Sequence, residues 1–346
     1  MYRDNSVLEA SEHVLLKLAC VNCHIPLDNS LKCHRCGFTI QRKSGNLFDY
    51  SSFSKTYNEG NLEPWNLESS GIILRRLKSF DCPLAISENY ILKYIKKLDV
   101  NKNSRLLELG LFSSAILHYF SLSKGTFGVG VDLSETVLKK QSEVSEILGS
   151  GTIYFLGDCY KLPFCDDSFD YIFCLDLLEH IPKVRQLLLL KECFRILNSN
   201  GKMIIKIPIE KNKRFSFEIL QSKLSKKKYA RKRKKNGHLN KDSLSLPEFK
   251  EMVKDVGLKM VCYDNIGFFF DYIYDNYLLA FKDRLFSSKA VDRNLVFSGL
   301  LSDSILKKTR FMILRMFYYM VRFFAFFDRL FCGFDCGANF ICLLRK

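Results

Sequence analysis

Four cysteines, Cys20, Cys23, Cys33 and Cys36, form two Cys-x2-Cys pairs with nine residues between them. Each pair can close a tight turn that presents two thiolates, so together they offer Zn²⁺ a full tetrahedral set. Four protein ligands leave no open position for substrate, which makes the expected role structural; four unligated thiols are the alternative. A second set of candidates stands at the ends of short apolar runs. Glu108 and Gly110 close RLLELG, Asp132 and Leu133 follow GVGV, Asp158 and Cys159 follow IYFLG, and Asp176 follows YIFCL. An acid about twenty residues beyond a glycine turn can hold a ribose hydroxyl pair, which marks Asp132; the rest of the set is read as cofactor-binding from its place at the strand ends. His180 and His238 are the candidates for proton transfer near pH 7.

Each of these residues needs an element to position it. Residues 87–98 have helical spacing and lead into a first strand at 105–109, with further strands at 153–156, 171–175 and 202–208. Strands alternating with helices predict an α/β fold with an open, mostly parallel sheet, whose ligands lie outside the carboxyl ends of the strands. Strand, glycine turn and later acid would suit a dinucleotide enzyme almost as well.

Residues 157–182, GDCYKLPFCDDSFDYIFCLDLLEHIP, resemble the type 11 class I methyltransferases, and FRILNSNG at 194–201 sits where that family carries a Leu-Lys-Pro-Gly-Gly turn. GHLNKDSLSL from Gly237 is similar to a later Gly-His-Leu turn of the same family. The resemblance implies a doubly wound, seven-stranded, Rossmann-like methyltransferase fold and S-adenosyl-L-methionine as cofactor. It further implies that Asp158 meets the adenine and that His180 and His238 lie near the acceptor. The paired cysteines resemble the zinc-ribbon heads of some bacterial methyltransferases. The chain departs from the family in one place: Phe112 and Ser114 stand where glycines are usual. A reshaped turn, weak affinity and a domain without chemistry are the three outcomes that fit.

The 346 residues carry a formal charge of +16, and 47% of them are hydrophobic. That hydrophobic share argues against general disorder. Thirteen Lys or Arg fall at 211–241 against the single acid Glu218, so the excess is local and asks for an anionic partner. Residues 1–18 read as an amphipathic helix and not as a signal peptide, and the thirteen cysteines are scattered through the chain, which together predict a cytoplasmic protein with reduced thiols.

The expected units are a head at 1–45, a connector and helix at 46–84, and a methyltransferase core at 85–265 with a basic insertion at 211–241. An aromatic-rich helical insertion at 266–338 and a closing strand at 339–346 complete the chain. Within the insertion, Lys308, Arg315, Arg322 and Arg329 recur every seven residues, which suggests a helix lying on the inner face of an anionic membrane or a subunit contact, not a span. The expected acceptor is a small molecule, a saccharide or a lipid-linked cell-surface intermediate. RNA and a non-catalytic binding role are the alternatives.

Overall fold

The computed structural model describes residues 17–51, 70–81, 86–208, 244–266, 271 and 339–346, with positions 316, 319, 320, 323, 324, 326 and 327 of a C-terminal helix. His238, the amino-terminal helix, the basic insertion and most of the aromatic-rich segment lie outside the described residues.

A hairpin of β1 (Gln41–Ser44) and β2 (Leu47–Asp49) is followed by α1 (Gly71–Asp81) and α2 (Ile86–Ile95). Strand–helix alternation then runs β3 (Arg105–Leu109), α3 (Ile116–Lys124), β4 (Phe127–Asp132), α4 (Glu135–Leu148) and β5 (Thr152–Leu156). After β6 (Phe169–Leu175) come a short 3-10 turn at Leu178–His180, α5 (Lys183–Ile196) and β7 (Leu197–Pro208). Among the described residues the chain closes with α6 (Leu246–Val256), β8 (Lys259–Ile266) and β9 (Asn339–Arg345). The sheet has the order β1-β2-β5-β4-β3-β6-β7-β9-β8. Pairing is parallel from β2 through β7 and antiparallel at β1–β2, β7–β9 and β9–β8.

The expected seven-stranded core is present as β5-β4-β3-β6-β7-β9-β8, and a hairpin that carries the head past its expected end at residue 45, through β2, adds two strands to its edge. The reason is local to β5. All five of its residues are buried, and an uncovered edge would leave its amides and carbonyls without partners. The hairpin supplies those partners: the Tyr154 amide donates to the Asn46 carbonyl at 2.8 Å, and the Tyr50 amide to the Leu156 carbonyl at 3.0 Å. The Asn46 side chain adds a bond to the Thr152 carbonyl at 2.7 Å.

Strand alternation divides the core between the two faces. Leu107 and Leu109 pack with the head, α5 and α6, whereas Leu106 packs with the side chains of α1 to α4. The helices end where their sequences dictate. Ser134 caps α4 by accepting the Val137 amide, and Ser245 with Glu248 forms a capping box on α6. Parallel registry then sets Leu109 beside Val131 and Cys174, Asp132 beside Leu156, and Leu175 beside Lys206. The carboxyl ends of five strands therefore open on one edge, which is where α/β sheets of this kind bind ligands.

Candidate cofactor and metal sites

The turn after β3 begins at Gly110, whose φ of 71° is left-handed and whose amide donates to the Val131 carbonyl at 2.9 Å. A Cβ at this position would stand 2.9 Å from Leu177 Cδ1, so both conformation and space require glycine. The next two amides turn toward β4. Leu111 donates to Asp132 Oδ2 at 2.9 Å, with the Phe112 amide at 3.5 Å from the same oxygen. Asp132 Oδ1 accepts the Ser134 amide at 2.8 Å and keeps lone-pair capacity toward the opening. Burial pushes this carboxyl above its usual range while the surrounding amides oppose the shift. Leu133, beside it, is partly exposed. Phe112 also takes a left-handed φ, 33°, and the residue is 38% exposed.

Glu108 is 2% exposed and belongs to the α1–α4 face of β3, behind the turn. Desolvation pushes its carboxyl up to about 8, against the opposing pull of the Ser114 hydroxyl, Arg76 and the Leu117 amide. Asp158 presents a different case at the end of β5. It is 5% exposed, and neither carboxylate oxygen has a hydrogen bond of ordinary geometry among the described residues. Burial raises its pKa, and the Tyr160 hydroxyl and amide, the nearest donors, work in the opposite direction. A desolvated acceptor without a donor is costly unless a ligand completes it. Cys159 beside it is buried, with its thiol pushed well above the usual range by desolvation.

On the other side of β3, Asp176 follows β6 with a left-handed φ of 54°, a conformation that a non-glycine residue holds only under constraint. The constraint is Lys206 at the end of β7. Its ammonium donates to both Asp176 carboxylate oxygens, and its carbonyl accepts the Asp176 amide at 2.8 Å. The 3-10 turn carries His180, whose Nε2 stands 3.8 Å from Glu179 Oε1. Buried Gln186 fixes that turn by donating to the carbonyls of Leu178 and Ile181, each at 3.0 Å.

In the head, the four cysteine Sγ atoms all lie within 4.8 Å of one another, and those of Cys20 and Cys36 are 3.4 Å apart. Tetrahedral zinc with bonds of about 2.3 Å needs sulfurs about 3.8 Å apart, so the donor set fits that ion. The two knuckles are near copies. The His24 amide closes the first on the Cys20 carbonyl and the Gly37 amide closes the second on the Cys33 carbonyl, both at 2.9 Å, with φ of 53° and 75°. His24 and His34 are both exposed.

The head reaches the Asp158 end of the crevice through Tyr50. Its hydroxyl donates to the Asp158 carbonyl at 2.8 Å, and a Cβ on Gly157 would stand 2.4 Å from its ring. Tyr50, Lys206 and Gln186 belong to the site by position, yet their sequence contexts carry no motif. The one signal for Lys206 is a cation inside the apolar run MIIKIP, where a buried charge needs a partner.

The pKa of Glu108 has a testable consequence. A carboxyl that titrates near 4.5 when unfolded and near 8 when folded favours the native state fully below pH 4.5, and that contribution is lost as pH rises through 8. Glu108→Gln, a neutral isostere, is expected to raise stability more at pH 8 than at pH 5, by more than about 1.4 kcal/mol, the equivalent of one pKa unit. Denaturant midpoints that shift equally at both pH values would show that Glu108 is ionised in the fold.

Comparison with known proteins is consistent with this geometry. Residues 107–205 match a family model described as "Methyltransferase domain". The chain is 27% identical over 143 residues to an uncharacterized protein of Methanocaldococcus jannaschii, covering 41% of this chain and 57% of that one. To the ubiquinone biosynthesis O-methyltransferase of Coxiella burnetii it is 27% identical over 121 residues, 35% of this chain and 50% of the other. Haemonchus contortus phosphoethanolamine N-methyltransferase 2, solved in complex with S-adenosyl-L-methionine, superposes with a TM-score of 0.48 and 18% identity over 75% of this chain and 52% of that one. The chain thus spans about half the length of the curated relatives named here. Residues 107–205, which carry the turn after β3, Asp132, Asp158 and Asp176, are thus the part of the chain that is similar to a methyltransferase domain.

Proposed function

We propose that this protein transfers a methyl group from S-adenosylmethionine to a hydroxyl of a saccharide or lipid-linked intermediate, and that its head is held together by one structural Zn²⁺. The observation that carries the cofactor assignment is Asp158, a buried carboxylate whose two oxygens have no hydrogen bond of ordinary geometry among the described residues, one strand away from Asp132. Adenine's exocyclic amino group is a donor of the kind Asp158 lacks, and Asp132 has acceptor capacity for a ribose hydroxyl. Bound there, the cofactor would supply an electrophilic methyl on a sulfonium centre, open to in-line displacement by the acceptor oxygen.

The chain's own contribution to transfer is mainly orientation. The turn at 110–114 and the Asp132 carboxylate fix one side of the crevice, and the Asp176–Lys206 pair fixes the other. A hydroxyl acceptor must lose its proton, and His180, beside Glu179, is the described group suited to take it. His238 is the second candidate. The O-methyltransferase and N-methyltransferase names of the relatives leave the acceptor atom open in the family, and the need for a base favours His180 only if that atom is oxygen.

The lipid-linked acceptor draws support from the basic stretch at 211–241 and from the C-terminal helix. There Met316, Tyr319, Met320, Phe323, Phe324, Phe326 and Phe327 are all between 38% and 65% exposed. Their spacing puts them on one arc of the helix, which suits an interfacial pose on a membrane. No helix among the described residues is long and apolar enough to cross a membrane.

Calorimetric titration with S-adenosylhomocysteine is expected to show binding by the wild-type chain that falls at least about tenfold in Asp158→Asn, which removes one acceptor oxygen and the charge. Metal analysis of the same preparation is expected to give one zinc per chain. Absence of binding at millimolar ligand would overturn the enzyme reading, and well under half an equivalent of metal would overturn the zinc reading. For the membrane pose, flotation with anionic vesicles is the check. Binding lost at high salt supports it, and a protein that never floats removes it.

A further inference from the structure

We propose that Gln141 and His118 form an internal latch that replaces the missing glycines, holding the turn at residues 110–114 in the shape that receives the amino-acid end of the cofactor. The proposal rests on the methyltransferase reading and extends it to two residues that no motif marks.

The latch is built beneath the turn, from the inward faces of α3 and α4. Gln141 is 1% exposed, and its amide nitrogen donates to two carbonyls of the turn, Phe112 O at 3.1 Å and Ser114 O at 2.9 Å. Those are the two positions where the family would have glycine. A phenylalanine at φ 33° is strained, and such a conformation persists only where surrounding bonds over-determine it. The two bonds from Gln141 do this. They draw both carbonyls inward, away from the crevice, and leave the Leu111 and Phe112 amides directed at Asp132.

His118 fixes the direction of the glutamine. Its Nε2 lies 2.9 Å from Gln141 Oε1, an atom that can only accept, so the ring carries its proton on Nε2. Nδ1 lies 3.1 Å from the Ser150 hydroxyl, which itself donates to the Ser145 hydroxyl at 3.0 Å. The backbone of Gln141 is held in turn, because the Tyr154 hydroxyl donates to its carbonyl at 3.2 Å and lies 2.8 Å from the Ser145 hydroxyl. With the ring on one side and two carbonyls on the other, the amide has a single satisfied orientation. Gln141 and His118 are positioning residues: they sit behind the turn and act on the ligand only through it.

Topology says which part of the ligand is affected. Asp158, Asp132 and the turn stand at the ends of β5, β4 and β3, three adjacent parallel strands about 4.8 Å apart. With the adenine at β5 and the ribose at β4, the remaining end of the cofactor falls at β3. A fault in the latch therefore spares the nucleoside and weakens the amino-acid end.

The test compares two probes on the full-length chain, S-adenosylhomocysteine and 5′-methylthioadenosine, which shares the nucleoside and lacks the amino-acid end. Gln141→Met keeps volume and removes both donors. The expected result is about tenfold weaker binding of S-adenosylhomocysteine, with methylthioadenosine changed by less than about twofold. Gln141→Glu, which sets a carboxylate against the same two carbonyls, serves if the first variant does not fold and is expected to show the same selective loss. Equal weakening of both probes would reduce Gln141 to a general structural role, and unchanged binding of both would remove the latch. A wild-type chain that binds neither probe would contradict the cofactor reading itself, an outcome distinct from failure of the latch.

Discussion

The carboxylate of Asp132 accepts the amides of Leu111 and Ser134 at 2.9 and 2.8 Å, and those bonds lock the turn after β3 to the end of β4. The turn after β3 and, through β4, the end of β5 take their places from that lock. It sets the direction in which Gly110 leaves the strand, and β4 in turn sets β5 and Asp158 through parallel pairing from Gly128 to Asp132. A carboxylate that accepts backbone amides is a charge-assisted contact, stronger than a neutral bond and hard to replace in a buried setting. The same residue thus shapes the turn and faces the crevice.

Around this tie the chain keeps groups that a purely structural domain would not need. Asp158 is buried with neither carboxylate oxygen in a hydrogen bond of ordinary geometry among the described residues, Asp176 holds a left-handed backbone, and Lys206 places a buried ammonium beside it. Each costs stability, and the three are collected along one edge of the sheet instead of being scattered. Strain and unsatisfied polarity concentrated in this way are what a preorganised binding site displays. The head contributes from outside, since Tyr50 closes the back of the Asp158 loop while the head's hairpin covers the edge of β5.

Much of the fold was legible in the sequence because periodicity reports burial. RLLEL, GVGV, IYFL and YIFCL became β3 to β6 with their acids at the strand ends, and the closing strand at 339–346 became β9, paired on both sides. Less legible was what depends on contacts between distant segments. The hairpin at 41–49 is short and carries exposed charges in β1, so nothing local shows that β2 extends the main sheet. Helix α5 ends at Ile196, but β7 starts at once and runs through the Asn198–Gly201 segment, where the family resemblance implies a turn. Among site residues, the carboxylates announced themselves by position, whereas Gln141, Gln186, Tyr50 and Lys206 did not. Their roles come from what they touch, and an isolated glutamine in a helix pattern carries no trace of two carbonyls more than twenty residues away. Glu108 shows the converse: it was visible at the end of its run, yet strand alternation puts it behind the turn, among apolar side chains.

The central claim is that the ends of β3, β4 and β5 hold one extended nucleoside ligand in a fixed order. A crystal structure of the full chain with S-adenosylhomocysteine tests this most directly. The account predicts adenine within hydrogen-bonding distance of Asp158, ribose hydroxyls on Asp132, and the amino-acid end against the turn at 110–114. Ligand density in any other place, or bound with its ends reversed, would contradict it.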